Sequence, residues 1–195
     1  MFTGIITDLG SVRAIVKRGD TRFEFNTSYN TTEIGIGASI ACSGACLTVV
    51  DKGKNWFAAD VSKETLSKTI LGYWEKGAPV NLERPLKPTD ELSGHIVSGH
   101  VDGVGSIVSI QIVGDSLQFE FNTPDELRRH ITPKGSVSVN GVSLTVNKTI
   151  RDQFTANIIP HTQDITTFGT SKIGDIVNLE IDLLSRYVAR LLEKD

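Results

Sequence analysis

Residues 40–50, IACSGACLTVV, have a close copy about 97 residues later in VSVNGVSLTVN at 137–147. In both copies a single glycine interrupts a run rich in Val, Ile, Leu and Thr, a composition typical of a β-strand. A glycine within such a run indicates a bulge, or the close approach of a ligand or another backbone. The pair therefore predicts two equivalent strand regions.

Further pairs occur in the same order along the chain. They are MFTGIITDLGSV from Met1 with IVSGHVDGVGSI from Ile96, FEFNT at 23–27 and 119–123, and VNLE at 80–83 and 177–180. The period is too long for a solenoid unit of roughly 20–50 residues and matches a whole small domain. We therefore predict a tandem duplication with domains 1–94 and 95–182, followed by a segment 183–195.

Each half is predicted to be mainly β, because its short alternating strands are separated by turn residues, which favours a small closed barrel. Three short helices are also expected, at 63–66 after Ser62, at 160–164 and at 124–130. Residues 84–94 contain two prolines and several polar residues and form the link between the halves.

Composition limits the function classes. The 195 residues carry a net charge of −3, a pI near 5.8 and 39% hydrophobic residues, which is globular composition without the basic excess of a nucleic-acid binder. No apolar run reaches the ~18 residues of a membrane span. The N-terminus does not resemble a signal peptide. Because two cysteines are too few for a disulfide framework, we expect a cytoplasmic protein that binds neither nucleic acid nor membrane.

The C-terminal segment differs from both halves. Its apolar residues fall at helical spacing with charged residues opposite, which predicts an amphipathic helix of about a dozen residues. These apolar residues are Leu183, Leu184, Tyr187, Val188, Leu191 and Leu192, and the charged ones are Arg186, Arg190, Glu193 and Lys194. A helix this short is marginal alone. Its apolar side must therefore pack either on its own chain or on copies of itself in an oligomer.

A metal site is not predicted. Cys42 with Cys46, and His95 with His100, have spacings seen at zinc sites. However, the two pairs are much farther apart than the ~12–15 residues of a zinc finger. The duplication also aligns Cys42 with Val139, an apolar position. The phosphate-binding loop and the nucleophile elbow of hydrolases are absent from the sequence.

Aligned positions that differ between the halves while staying polar indicate divided roles. They are Cys46 and Ser143, Ser62 and Ile159, Glu64 and His161, and Ile5 and His100. Two similar cavities with different polar linings would bind two copies of one ligand in different environments. One binding equivalent per chain in calorimetry would count against this interpretation.

Several motifs, in this order and spacing, resemble the riboflavin synthase family over essentially the whole chain. They are MFTGI, SGACLTV at 43–49, KETL at 63–66, SGH at 98–100 and NGVSLTV at 140–146. The resemblance implies two six-stranded Greek-key β-barrels and a homotrimer held by the C-terminal helices. It implies active sites between the N-terminal barrel of one subunit and the C-terminal barrel of its neighbour.

The resemblance also implies the reaction. Two molecules of 6,7-dimethyl-8-ribityllumazine exchange a four-carbon unit, which gives riboflavin and 5-amino-6-(D-ribitylamino)uracil without a cofactor. Association with lumazine synthase, which supplies the substrate, is possible and is not decided by the resemblance.

The resemblance assigns the site residue by residue. Those matching positions linked to catalysis are Phe2, Ser39, Cys46, His100, Ser143 and Asp182. Those matching substrate-binding positions are Gly4, Ile5, Ile6, Cys46, Leu47, Thr48, Asp60, Val61, Ser62, Lys63, Glu64, Thr65, Gly99, His100, Val101, Lys134, Ser143, Leu144, Thr145, Ile159, Pro160, His161, Thr162, Gln163 and Asp164. Gly4 and Gly99 are expected to let the backbone approach the planar ring, and the threonines offer hydroxyls to the ribityl chain.

The roles of five residues stay open between two interpretations each. His100 is a proton carrier or a polar histidine beside a turn. Cys46 is a thiolate nucleophile or lines the pocket. Ser143 orients a nucleophilic water or attacks by itself. Asp182 polarises that group or caps a helix. Phe2 stacks on a ring or closes the pocket, or it is a core residue. No strong base is needed, because the 7-methyl protons of the lumazine are unusually acidic, and holding two rings together can supply ~7–11 kcal/mol.

The alternative function is that of a lumazine protein, a non-catalytic relative of the family that binds the same pterin as a light-emitting antenna. Such proteins tend to lose polar residues in one or both pockets. Here the Leu-Thr pairs are intact in both halves, and Cys46, His100 and Ser143 are present. The sequence therefore favours the enzyme.

Overall fold

The computed structural model describes residues 1–193 and shows a mainly β chain in two similar halves. The first half contains β1 (Asp8–Lys17), β2 (Thr21–Asn26), β3 (Ser39–Cys42), β4 (Ala45–Gly53), β5 (Trp56–Val61), α1 (Lys63–Lys68) and β6 (Pro79–Glu83). The second half contains β7 (Gly103–Val113), β8 (Ser116–Asn122), β9 (Ser136–Val139), β10 (Val142–Thr145), β11 (Lys148–Ile150), β12 (Gln153–Ile158), α2 (Pro160–Ile165) and β13 (Ile176–Ile181), and α3 (Leu183–Leu192) follows. The predicted fold class, tandem β-barrels with a C-terminal helix, is confirmed.

The first half is a closed antiparallel barrel with the strand order β1-β2-β5-β4-β3-β6. It closes where β6 pairs with β1, with Leu82 opposite Asp8. Closure leaves no unpaired sheet edge. Inside, Phe25 packs on Phe57 with ring centroids 5.2 Å apart, which fills the centre of the barrel with aromatic side chains.

The second half repeats this arrangement with one strand divided. Its sheet has the order β10-β9-β13-β7-β8-β12-β11, so its two end strands, β10 and β11, are consecutive in sequence. Together they correspond to β4, which is continuous but has a bulge between Val49 and Asp51. At the equivalent place Asn147 donates to the Thr155 carbonyl at 2.7 Å between the two short strands. The bulge of the first half has thus become a break, and the sheet curls around its core without closing through a continuous strand.

The short helices start where their sequences predict. The Ser62 hydroxyl accepts the Thr65 N–H at 3.2 Å and caps α1. Pro160 occupies the first turn of α2. The third candidate, 124–130, is a 3₁₀ turn over Asp125–His130, with bonds from residue i to i+3 in place of an α-helix.

Two buried asparagines bind the halves to each other about a pseudo-twofold axis. The Asn81 amide donates to the Asn140 carbonyl at 2.9 Å, and the Asn178 amide donates to the Ser43 carbonyl at 2.7 Å. Each side-chain oxygen accepts a backbone N–H of the other half at 2.8 Å. The nitrogen and the oxygen of each side-chain amide are therefore both paired in the interior, where an unpaired polar group costs about 1–3 kcal/mol.

The backbones of the two halves also touch at Gly44 and Gly141. Both residues have a left-handed backbone, with φ of +85° and +81°. A Cβ on Gly44 would lie 2.8 Å from the Gly141 nitrogen, and a Cβ on Gly141 would lie 2.7 Å from the Gly44 nitrogen. The two glycines of the repeated motif thus meet each other across the interface.

The amphipathic helix predicted for the C-terminal segment is α3, and residues 194 and 195 of that segment lie outside the described residues. Its apolar side chains are not covered by residues 1–193: Tyr187 is 61% exposed and Leu191 84%. The helix contacts the turn at Asp125–His130, where Arg129 forms an ion pair with Glu193 at 3.0 Å. Within this range, no helix has both the length and the hydropathy needed to cross a bilayer.

Candidate functional site

The segment that precedes the first strand of each half, which contains Gly4 in the first half and Gly99 in the second, lies on the other half. We call it the leading segment of that half. Ser143 of β10 donates its N–H to the Gly4 carbonyl at 2.8 Å, and Cys46 of β4 donates to the Gly99 carbonyl at 2.8 Å. Ile6 accordingly belongs to the core of the second half, and Val101 packs on the core of the first. The predicted binding stretches therefore group as 4–6 with 143–145 and as 99–101 with 46–48, a pairing that sequence reasoning did not supply.

Gly4 and Gly99 are needed for this exchange. A Cβ on Gly4 would lie 2.6 Å from the Ser143 Cβ, and one on Gly99 would lie 2.5 Å from the Cys46 Cβ. Both have positive φ, +78° and +81°. The space next to each Cα is filled by the facing strand. This packing is a simpler physical reason for glycine at both positions than the expected approach of a ligand ring.

Two carboxylates missed by the sequence analysis hold the exchanged segments. Glu83 accepts the N–H and the hydroxyl of Thr3 at 2.7 and 3.0 Å, and Glu180 accepts those of Ser98 at 2.6 and 2.7 Å. The second oxygen of each accepts the N–H of the following glycine at 3.0 Å. Burial raises the pKa of both carboxyl groups, and these hydrogen bonds partly offset it. Both glutamates belong to the repeated VNLE motif, and a residue that is alike in both halves indicates shared fold without indicating this role.

Phe2 connects the two exchanged segments. It forms an antiparallel bridge with Val97, with N–H to carbonyl distances of 2.8 and 3.1 Å. Its ring is 1% exposed and packs with Ala41, Val97 and the side chain of Cys46. This burial favours the core interpretation of Phe2 over stacking on a ligand.

Strand alternation divides the Cys-Leu-Thr and Ser-Leu-Thr motifs between core and surface. Leu47 and Leu144 are buried in the two cores, so their side chains face away from any ligand. Cys46 and Ser143 are half-buried and the threonines that follow, Thr48 and Thr145, are exposed. The outer face of each strand thus presents one small polar group and one hydroxyl.

Ser39 and the first helix lie beside this outer face. Ser39 is the partner of Thr48 in the β3–β4 ladder. Because Val49 pairs with Ala59, the stretch 60–65 begins next to Thr48. Of this stretch, Val61 is buried, whereas Asp60, Ser62, Lys63 and Glu64 are exposed and Thr65 is half-buried.

The corresponding stretch 159–164 follows β12, a strand that contacts β10, and forms α2. Ile159, Pro160, His161 and Asp164 are exposed, and Thr162 and Gln163 are half-buried. The Gln163 amide donates to the Ile158 carbonyl at 2.8 Å, so it is engaged in holding the helix start. The two halves thus offer equivalent surfaces with different side chains.

Lys134 is one of these differences. It has a left-handed backbone with φ +68°, and its N–H donates to the Val146 carbonyl at 2.8 Å. In the first half Gly37 has φ +86° and donates to the Val49 carbonyl at the same distance. A lysine therefore occupies a backbone conformation that favours glycine, and it gives the second half a cation where the first has no side chain.

Ser143 has a histidine partner that the sequence analysis considered only as a metal ligand. His95 Nδ1 lies 2.7 Å from the Ser143 hydroxyl. Burial lowers the pKa of His95, and the nearby Asp182 carboxylate opposes this shift. Asp182 itself accepts the Leu184 N–H at 2.9 Å as the N-cap of α3, which is the helix-capping role considered for it.

The remaining catalytic candidates lie on the Cys46 side. His100 is exposed, and its N–H donates to the Ser98 hydroxyl at 3.3 Å. Its segment is fixed on β4 through Gly99. Cys42 and Cys46 are free thiols, and burial raises the pKa of the Cys42 thiol well above its usual value. Cys42 thus belongs to the core, as its alignment with a valine predicted.

Two clefts adjoin the predicted binding stretches. One of about 790 Å³ is lined by Lys63 and Leu66 of α1, and one of about 460 Å³ by Ile5 and Glu83. Both volumes fall in the ~300–1,000 Å³ range of small-molecule sites. The linings of these two clefts include neither Cys46 nor Ser143.

Known proteins match this chain in both of its halves. A model of the lumazine binding domain family matches residues 3–85 and again 98–182. "Riboflavin synthase" of Brucella abortus (strain 2308) is 46% identical over 199 residues, covering 99% of this chain and 98% of that protein. "Riboflavin synthase" of Photobacterium phosphoreum is 43% identical, covering 100% of this chain and 90% of that protein.

Solved structures share the fold. The crystal structure of LumP complexed with riboflavin has a TM-score of 0.84 and 24% identity, and covers 93% of this chain and 99% of that chain. LumP complexed with 6,7-dimethyl-8-(1'-D-ribityl) lumazine has a TM-score of 0.83 at the same identity and coverage. The similarity at this identity concerns the chain fold.

Proposed function

We propose a function from the premise that this chain belongs to the lumazine binding domain family and, within it, to the riboflavin synthases. The observation that carries the proposal is the full-length identity of 46% with a relative of that activity, together with a family match in both halves. The chain makes riboflavin from 6,7-dimethyl-8-ribityllumazine.

The reaction is a dismutation, and the enzyme is a transferase that needs no cofactor. One lumazine gives up a four-carbon unit and leaves as 5-amino-6-(D-ribitylamino)uracil, and the other accepts that unit and becomes riboflavin. The two products together contain all the atoms of the two substrates, so no external oxidant or reductant is required. The chain's task is to hold two identical molecules in a reactive geometry, which can supply ~7–11 kcal/mol.

The two outer strand faces are the proposed substrate sites. One comprises Cys46 and Thr48 with the segment of His100, and the other comprises Ser143 and Thr145 with the segment of Gly4. The exchange of segments supports this assignment, because each face combines residues of both halves at hydrogen-bond distance. His100, exposed on the first face, moves protons to and from the lumazine methyl carbon. Ser143 orients the group that adds to the ring in the second.

The test is direct. Incubating the protein with 6,7-dimethyl-8-ribityllumazine in metal-free buffer should give riboflavin absorbance. His100→Ala is expected to lower kcat about 100-fold, the low end for loss of a general acid–base, and Ser143→Ala to lower it as well. Ser109→Ala, a half-buried serine on β7 outside the site, is the matched control and should keep the wild-type rate. Wild-type rates in His100→Ala, Ser143→Ala and Phe2→Ala would show the site assignment to be wrong.

The fold similarity to LumP with bound ligands supports a second candidate, a pterin-binding protein without turnover. The same assay separates the two. Tight binding of the lumazine, followed by fluorescence, with no riboflavin formed would identify the antenna function.

The enzyme is proposed to be a homotrimer held by α3, with each active site between the first half of one subunit and the second half of another. The exposed apolar face of α3 supports this proposal, since residues 1–193 of its own chain do not cover it.

The domain division 1–94, 95–182 and 183–195 remains a prediction, as does association with lumazine synthase. The two free thiols support a cytoplasmic location.

The double variant Tyr187→Glu/Leu191→Glu tests the assembly. Two charges on the apolar face should prevent association, because a buried unpaired carboxylate is costly. Sedimentation should show a monomer, and turnover should fall while lumazine still binds. Arg190→Glu reverses a charge at a polar position of the same helix, 74% exposed in its side chain, and serves as control. A trimer that persists in the double variant would contradict the role of α3.

A further inference from the structure

The two proposed substrate sites differ in how their small polar residue is held. Cys46 and Ser143 occupy the same place in the duplication, and each donates its backbone N–H to a glycine carbonyl of the other half at 2.8 Å. The Cys46 side chain packs on Phe2 as a free thiol. The Ser143 hydroxyl, in contrast, is bound to an imidazole. The two sites therefore also differ through His95, which is not among the positions that the repeat aligns.

His95 is fixed in place by its own backbone and by burial. Its N–H donates to the Thr3 carbonyl at 3.1 Å, in the segment that Glu83 binds. The residue is 9% exposed, and its Nδ1 lies 2.7 Å from the Ser143 hydroxyl. The neighbouring Gly94 leaves the ring and the serine in contact, because a Cβ there would lie 3.0 Å from the Ser143 Oγ. The histidine and the serine are thus held as a pair.

The protonation of the pair follows from its surroundings. Burial lowers the pKa of His95, which favours the neutral imidazole. A neutral imidazole with its hydrogen on Nε2 can accept at Nδ1. In that tautomer the Ser143 O–H donates to Nδ1 and leaves the oxygen lone pairs free, and in the other tautomer the Nδ1–H donates to the serine oxygen; in both, one hydrogen bond joins the pair. His95 Nε2 is buried and has no partner in the described chain.

We propose that His95 is a positioning residue for Ser143, which it holds through the 2.7 Å hydrogen bond so that the serine oxygen faces the bound lumazine. The proposal rests on the proposed riboflavin-forming function. Its consequence is that the second-half site orients the group adding to the ring through a His-Ser pair, whereas the first-half site has a thiol without such a partner. Of the differences between the two otherwise equivalent sites, the His95 hydrogen bond is the one that acts directly on the Ser143 hydroxyl.

The test separates a positioning role from a merely structural one. His95→Leu removes the hydrogen-bond partner of Ser143, and we expect kcat to fall about 100-fold, the size of effect that a misplaced group produces, with lumazine affinity unchanged. His95→Asn places an amide oxygen near the position of Nδ1 and should restore much of kcat. Because His95 acts through Ser143, the double variant His95→Leu/Ser143→Ala should be no slower than Ser143→Ala alone.

The outcomes are distinct. Additive losses in the double variant, or an unchanged kcat in His95→Leu, would overturn the pairing. If His95→Leu fails to fold in thermal unfolding, His95→Asn still tests the pairing, since loss of kcat in a folded His95→Asn to the level of Ser143→Ala would contradict rescue by a hydrogen-bond acceptor. If the wild-type protein itself forms no riboflavin, the proposed function fails and not the geometry of the pair.

Discussion

Replacing Gly44 with alanine should abolish folding or lower the free energy of unfolding by at least about 4 kcal/mol, a size that requires a specific structural cause. Two causes add here. A left-handed backbone costs an L-residue roughly 1–2 kcal/mol, and the new Cβ would lie 2.8 Å from the Gly141 nitrogen. The obstructing atom belongs to the backbone, so relief requires the two halves to separate. The same reasoning and the same expected loss apply to Gly141→Ala.

The matched control is Gly37→Ala. Gly37 also has a positive φ, +86°, but no atom lies within 4 Å of the position its Cβ would take. This variant should lose only the roughly 1–2 kcal/mol that a left-handed backbone costs an L-residue. The equivalent residue Lys134 shows that the second half accommodates a side chain there. Urea unfolding of the three variants provides the measurement. Equal losses in Gly37→Ala and Gly44→Ala would show that backbone strain, and not contact between the halves, decides the cost.

These glycines illustrate what the sequence could predict. The repeat of SGAC and NGVS predicted two equivalent strands and a close approach at the glycine, and the barrel class followed from the alternation in FEFNT. Which backbone approaches Gly44 could not be predicted, because the contact joins residues about 97 positions apart across a pseudo-twofold axis. A single sequence records which positions are alike but not how the two halves are oriented.

The residue types of the site could be predicted from the sequence, but which of these residues lie together could not. The motifs identified Cys46, His100 and Ser143, but the exchange that brings Gly4 to Ser143 is a tertiary arrangement. Glu83 and Glu180 escaped notice for a related reason. A residue kept alike in both halves is interpreted as fold, yet here the shared residue holds the binding segments by hydrogen bonds. Similarity between halves therefore does not distinguish core from positioning roles.

The break between β10 and β11 has the same origin. The sequence aligns Val50 with Asn147, and both lie where the strand must pass from one set of partners to the next. In the first half a bulge keeps the strand continuous. In the second half the polar Asn147 donates its backbone to Thr155 and its side chain to Asn157, at 2.7 and 2.9 Å, and the ladder is interrupted. The change from the apolar Val50 to the polar Asn147 thus coincides with the change from a bulge to a break.

Phe2→Ala is expected to lower both stability and turnover strongly. Removal of a fully buried phenylalanine ring typically costs about 3–5 kcal/mol, and Phe2 is 1% exposed. Its backbone bonds with Val97 join the two exchanged segments, so a cavity beneath them loosens both Gly4 and Gly99. Since these segments complete both proposed sites, misplacement by about 1 Å is enough for a 100-fold loss of rate. Thermal unfolding and riboflavin formation by the folded fraction measure the two effects separately.

Phe25→Ala provides the comparison that tells a site effect from a stability effect. Phe25 is equally buried, at 0% exposure, but lies on β2 in the centre of the first barrel, on a strand without predicted site residues. It should lose similar stability, while the folded fraction retains a rate near wild type and binds two lumazines per chain. Phe2→Ala should retain weaker binding and little turnover. Equal rates per folded molecule in the two variants would mean that the bridge between Phe2 and Val97 stabilises the fold without positioning the sites. If Phe2→Ala is slow and Phe25→Ala is active, the geometry of both sites depends on the bridge between Phe2 and Val97, where the two halves exchange their leading segments.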